Sequence, residues 1–173
     1  MSDTLFNHLA PEALSDNLFT RIGKDWMLIT AAKPDGSWNT MTASWGMAGI
    51  LWNKPVAVCF VRPQRYTDEF IQTTNRLTLS FFGEEMRAAL KFCGAKSGRD
   101  HDKAAETGLV PHVLPSGGVT FDQANLVFDC RRLYAGELKK SGFLDPSLLS
   151  HYQDDDFHHV YICEIENCYV NKL

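Results

Sequence analysis

The chain has 173 residues, a formal net charge of −4, and 45% hydrophobic against 22% charged residues. That is one ordinary domain with enough apolar surface for a core, so a disordered chain is excluded. There is little room for a dinucleotide-binding domain beside a separate catalytic one, and the acidic balance excludes a broad basic surface for nucleic acid, though not a local basic pocket.

Met1 to His8 lack the basic start and long apolar core of a signal peptide. No apolar run approaches the ~20 residues of a membrane helix. A cytoplasmic protein without membrane or nucleic-acid partners is expected. Pro11 to Arg21 carries Leu14, Leu18 and Phe19 at helical spacing and predicts a short helix. Trp26 to Ala32 reads as a strand, Lys33-Pro34-Asp35-Gly36-Ser37 as a turn, and Trp38 to Trp45 as the returning strand of a hairpin. Val56 to Val61 is a third strand, apolar enough to be buried on both faces. Thr67 is placed to cap a helix through Gln72, with Tyr66 and Ile71 as a hydrophobic staple. Arg76 to Phe82 is a fourth strand and Glu84 to Phe92 a helix with Met86, Ala89 and Leu90 on one face.

Residues 93–120 read as loop, with a short helix from about Asp102 to Thr107 closed by Gly108. Leu126 to Tyr134 and Val160 to Ile165 are strands, with a polar helical segment around Asp145 to Tyr152 between them. Many strands with few short helices predict one mainly β domain, a closed or partly closed antiparallel barrel. GxGxxG and GxxxxGK[ST] are absent. The five cysteines are odd in number and show no CxxC, so they are expected to be reduced and packed as small hydrophobes.

Three stretches could carry chemistry. Cys93 to Lys103 combines Ser97 and Gly98, which permit close backbone approach, with Arg99, Lys103 and Lys96, and runs into a helix start. That suits a phosphate, although the same residues also read as an exposed turn with solvated charges. Asn39, Thr40, Thr42 and Ser44 put hydrogen-bonding side chains on a strand, with Trp45 at its end. Even and odd positions lie on opposite faces, and either face suits a planar ligand or is simply wet. Arg62-Pro63-Gln64-Arg65-Tyr66-Thr67 sits where a strand ends and a helix begins, a frequent ligand position. With Asp68 and Glu69 beside it, this segment suits a ring or polyol better than an anion. The adjacent His158 and His159 point to opposite strand faces, and no HxxxH or HExxH is present, so no metal is expected. No catalytic residue is assigned; Cys93 is the best candidate for a reactive thiol, and a packed thiol is the plainer reading.

In order, Asn39 to Trp45, Leu51-Trp52-Asn53-Lys54-Pro55, Val61 to Thr67, and Cys93-Gly94 through Ser97 to Lys103 resemble the flavin reductase-like, FMN-binding split-barrel family, especially its flavoredoxin-like branch. The resemblance runs from about Arg21 to Ile165. It implies a split β-barrel, a homodimer, and noncovalent FMN near the dimer interface. It implies that Asn39, Thr42, Ala43, Ser44 and Trp45 lie against the isoalloxazine and ribityl chain. Arg65, Tyr66 and Thr67 then support the ribityl–phosphate region or ring edge. Ser97, Gly98, Arg99 and Lys103 hold the phosphate, and His159, or its neighbour His158, faces the flavin. The implied activity passes electrons from NAD(P)H through FMN to free flavin or a partner protein. The alternatives are a flavoredoxin-like electron carrier and a non-catalytic flavin- or haem-binding protein.

Overall fold

The computed structural model describes residues 5–172. Ten strands are described: β1 (Phe6–Leu9), β2 (Met27–Ala32), β3 (Trp38–Ala43), β4 (Gly46–Leu51), β5 (Lys54–Val61), β6 (Arg76–Phe81), β7 (Pro111–Val113), β8 (Val119–Phe121), β9 (Leu126–Glu137) and β10 (His159–Asn171). The α-helices are α1 (Leu18–Thr20), α2 (Tyr66–Thr73), α3 (Arg87–Ala95) and α4 (Lys103–Thr107). No described helix is long and apolar enough to cross a membrane.

Eight strands form one antiparallel sheet in the order β3-β2-β6-β9-β10-β5-β4, with β1 added along β10. The path begins on β3 and ends on β4, which follow each other in sequence across Ser44-Trp45 yet do not pair. This seam is where the barrel is split. The predicted first hairpin forms, with Met27 opposite Ala43 and Ala32 opposite Trp38. Its turn needs Gly36, at φ +86°.

Several boundaries differ from expectation. Pro11 to Arg21 is not one helix: a 3-10 turn covers Pro11–Ala13, and Asn17 then caps a short α turn that continues as a π turn over Arg21–Asp25. β4 was not predicted as a strand. It is held to β5 by a two-residue turn at Trp52 and Asn53, with φ of +52° and +55°, the twist a tight hairpin requires. β1 and the β7–β8 hairpin were also unforeseen. β5 is buried on one face through Ala57, Cys59 and Val61, while Val58 and Phe60 stay half-buried on the other.

The barrel interior holds Met27, Ile29, Met41, Cys59, Leu79, Phe128 and Tyr161. A second cluster, including Leu28, Leu90, Cys93 and Phe121, packs α3 and the β7–β8 region on the outside. β2 is therefore covered on both faces, and its hydrogen-bonded neighbour β3 is fixed between barrel and helix. β10 runs on past the predicted Ile165 because β9 and β1 pair along it as far as Val170 and Asn171, and its carboxylates are paired as well. Glu164 meets Lys54 and Arg131, each at 2.7 Å, and Glu166 meets Arg76 at 2.6 Å and Arg131 at 2.7 Å. All five cysteines are free and buried. Burial pushes the Cys93 thiol upward, which keeps it protonated and packed.

Candidate functional site

β3 decides which of its side chains face the open seam. Met41 and Ala43 point into the barrel. Thr42, on the other face, donates its hydroxyl to the Leu90 carbonyl at 2.5 Å and thereby pins β3 to α3. Asn39 is buried, and its Nδ2 donates to Thr67 Oγ1 at 2.8 Å, which joins β3 to the start of α2. Thr67 is thus an acceptor for Asn39 and not the helix cap; the N-cap position belongs to Arg65, without a side-chain cap bond.

Two clefts open along this seam and meet at Met41 and Arg65. The first, about 150 Å³, lies between Asn39, the Arg65–Thr67 segment and the loop from Gly94 to Arg99, with Lys103 beneath. The second, about 210 Å³, is walled by Thr42 to Trp45, Phe60, Arg62 and His158. The structure therefore gathers twelve of the thirteen expected site residues around adjoining clefts. The exception is His159. Its Nδ1 lies 2.9 Å from Asp68 Oδ2, and Tyr161 donates to the same carboxylate at 2.7 Å, so it faces other grooves of the surface. Its neighbour His158 occupies the cleft instead. Strand parity makes the two histidines exclusive choices, and only the start of β10 decides between them.

The charges in the first cleft are sorted by their partners. Arg99 is already neutralised: it forms an ion pair with Glu69, and its guanidinium lies 4.6 Å from the Tyr66 ring centroid. Arg65 has no carboxylate partner among the described residues; its Nη1 donates to the Gly94 carbonyl at 2.9 Å. Burial lowers its pKa. Lys103 is buried and donates to the carbonyls of Thr40 at 2.6 Å and Cys93 at 2.9 Å. Burial lowers its pKa to about 8, with the Arg65 charge acting in the same direction and Cys93 against it. Two of its three N–H groups are spent on backbone, which makes it a fixed positive charge under the cleft and not a swinging ligand. The start of α4 contributes no free anion site, because Asp102 already caps it by accepting from Ala105 N–H at 3.0 Å.

The loop is shaped for close approach. A Cβ on Gly98 would stand 1.9 Å from Asn39 Oδ1, and one on Gly94 would stand 3.3 Å from Thr42 Cβ. Gly98→Ala is expected to force Asn39 off Thr67 and displace the loop, abolishing anion affinity at this end while the denaturation midpoint moves little. Phosphate-dependent ligand binding measured beside an unfolding curve checks it. Lys103 under the first cleft, Arg65 at its junction with the second, and the Thr42–Trp45 wall with Phe60 and His158 in the second suit an elongated ligand with a planar head and an anionic tail. FMN has that form, and the donor set fits it.

Many solved structures share the fold, three of which illustrate it. Flavoredoxin from Methanosarcina acetivorans matches with a TM-score of 0.66 at 19% identity, over 86% of this chain and 69% of that one. An FMN-binding protein from Thermus thermophilus with bound p-hydroxybenzaldehyde gives 0.69 at 14%, over 96% and 82%. The styrene monooxygenase flavin reductase from Pseudomonas putida S12 gives 0.61 at 15%, over 84% and 80%. No curated protein matches the sequence. The flavin reductase like domain model matches residues 19–173, nearly the whole chain, and the split antiparallel barrel is the architecture of these neighbours. The chain belongs to the flavin reductase like domain family.

Proposed function

We propose that the chain is an FMN-dependent oxidoreductase of the cytoplasm that takes electrons from NAD(P)H and passes them to free flavin or a redox partner protein. The observation that carries the reading is the pair of joined clefts, with uncompensated Lys103 under the first, uncompensated Arg65 at the junction, and the Thr42–Trp45 wall in the second. Five reduced, buried cysteines accord with a reducing compartment. Bound FMN supplies the redox chemistry; the protein supplies orientation and electrostatics. Arg65 and Lys103 hold the phosphate charge, Asn39 and Thr67 fix the walls between which the chain of the ligand passes, and Ser44 and Trp45 border the ring.

The homodimer expected for this family has support in the surface. Among the described residues β4 is bonded only along β5, and Met47, Ile50 and Trp52 are each more than half exposed. Beside them Leu18, Phe19, Ile22 and Trp45 line an apolar recess of about 400 Å³. Exposed apolar side chains gathered in this way suit a protein–protein interface, and the recess adjoins the cleft through Ser44, Trp45 and Phe60. Met47→Glu is expected to turn a dimer into a monomer and weaken flavin binding with it. Sedimentation of wild type and variant decides, and a wild-type monomer would reject the dimer.

Anaerobic mixing of the flavin-loaded protein with NADH or NADPH tests the activity. Rapid bleaching of the visible band supports the reductase. The flavoredoxin neighbour favours a second reading, an electron carrier, for which the band persists with either nicotinamide and bleaches with a reduced partner protein.

A further inference from the structure

His158 is the one imidazole that lines the second cleft. It is 5% exposed, and its ring meets the edges of Trp45, Tyr152 and Phe60 at centroid distances of 5.4, 5.4 and 6.3 Å. Its Nδ1 lies 2.7 Å from Tyr152 Oη, its single hydrogen-bond partner among the described residues. No buried side-chain nitrogen or oxygen among those residues lacks a partner. Nε2 has no partner among the described residues, so it is not sealed in the core, and the second cleft is the opening that His158 lines.

The position of the proton follows from donors and acceptors. Tyr152 is also buried, and among the described residues no other acceptor takes its hydroxyl hydrogen. If Nδ1–H donated to Tyr152, that hydrogen would be stranded. With Tyr152 donating to Nδ1, both groups are satisfied and the ring hydrogen sits on Nε2. The charges around the pair keep the ring neutral. Burial and then Arg62 lower the His158 pKa to about 4, with Asp156 opposing and His151 adding to the fall. Arg62 lies 5.1 Å over the Tyr152 ring and is itself tied to Asp156 at 2.7 Å and to the His151 carbonyl at 2.8 Å. Tyr152 is held from its other side by stacking on Phe157, at 4.7 Å between centroids.

We propose that His158 is the ring-edge hydrogen-bond donor of this site, its Nε2–H aimed by Tyr152 at an acceptor atom on the edge of the isoalloxazine. The proposal rests on the flavin reading above and adds to it a donor, its tautomer and a positioning residue. A neutral donor at the ring edge favours the electron-rich reduced ring over the oxidised one. It does so at constant charge across the physiological range, which a titrating histidine would not.

The test compares wild type, His158→Phe and Tyr152→Phe, both of which keep an aromatic ring in place. In flavin-free protein, long-range proton–nitrogen NMR is expected to show His158 as the Nε2–H tautomer, unchanged between about pH 5 and pH 8. Added FMN shifts that Nε2–H signal. In loaded protein, His158→Phe is expected to lose about tenfold of the preference for reduced over oxidised flavin, about 30 mV of midpoint potential for a two-electron couple. Tyr152→Phe loses less and shows mixed tautomers, and it carries the test should His158→Phe fail to fold. An Nδ1–H tautomer in wild type, an Nε2–H signal unmoved by bound FMN, or an unchanged potential overturns the donor assignment and leaves the flavin reading intact. Wild-type protein that takes up no FMN overturns the flavin reading itself, and the donor assignment with it.

Discussion

Arg65→Leu is expected to weaken FMN binding by about tenfold to a hundredfold, with riboflavin affinity changed by less than about threefold. The magnitude is that of one charge-assisted hydrogen bond lost from a partly buried site. Arg65 is chosen over Arg99 because of what each already touches. Arg99 is paired with Glu69, so a phosphate must compete with a carboxylate for it, and Arg99→Ala should cost FMN no more than about threefold. Arg65 has no such competitor and sits where the two clefts join. Fluorescence titration of both ligands against both variants measures the difference. Equal losses for FMN and riboflavin in Arg65→Leu would reassign the residue to loop support through Gly94.

Lys103→Met is the second large effect, and it acts on the fold as well as on the ligand. The ammonium bridges the Thr40 carbonyl of β3 and the Cys93 carbonyl of α3. Removing it leaves buried acceptors short of a donor, a loss of about 2 kcal/mol in unfolding free energy. The pH dependence has two opposite signs. Lys103 falls to about 8 in the fold from an ordinary 10.5, so between those values the unfolded chain binds more protons and stability rises with pH. A bound phosphate prefers the charged ammonium, so FMN affinity falls as pH rises through about 8. Lys103→Met should abolish both slopes, while Arg99→Ala keeps both. Denaturant melts and FMN titrations across that range check the pair of signs.

The sequence was informative where local chemistry decides. The β2–β3 hairpin follows from its Pro-Asp-Gly turn, and α4 ends at Gly108, which takes φ +75° as a left-handed cap. The Asn39, Arg65–Thr67 and Ser97–Lys103 stretches are close in space because β3, α2 and the loop after α3 converge at the split. What long-range pairing decides was hidden. β4 reads Gly-Met-Ala-Gly-Ile-Leu, poor strand material, and is a strand only because β5 returns beside it. β10 carries Glu166 and Asn167 beyond its predicted end, and their partners Arg76, Arg131 and the buried Asp129 lie on β6 and β9. Two register shifts in the β9–β10 ladder, one passing over Leu133 of β9 and one over Glu166 of β10, also disturb any parity count made from sequence. The split of charges is equally invisible in one dimension. Arg99 and Lys103 look alike as loop cations, yet Glu69 occupies one and two backbone carbonyls immobilise the other.

The central claim is that the joined clefts hold FMN by its phosphate at Arg65 and Lys103 and by its ring beside Trp45. Calorimetric titration of FMN into flavin-free wild-type protein, with riboflavin as the comparison, tests it most directly. The account predicts saturable binding of a single FMN per chain, at least about tenfold tighter than riboflavin. No binding of FMN, or equal affinity for the two ligands, would contradict it.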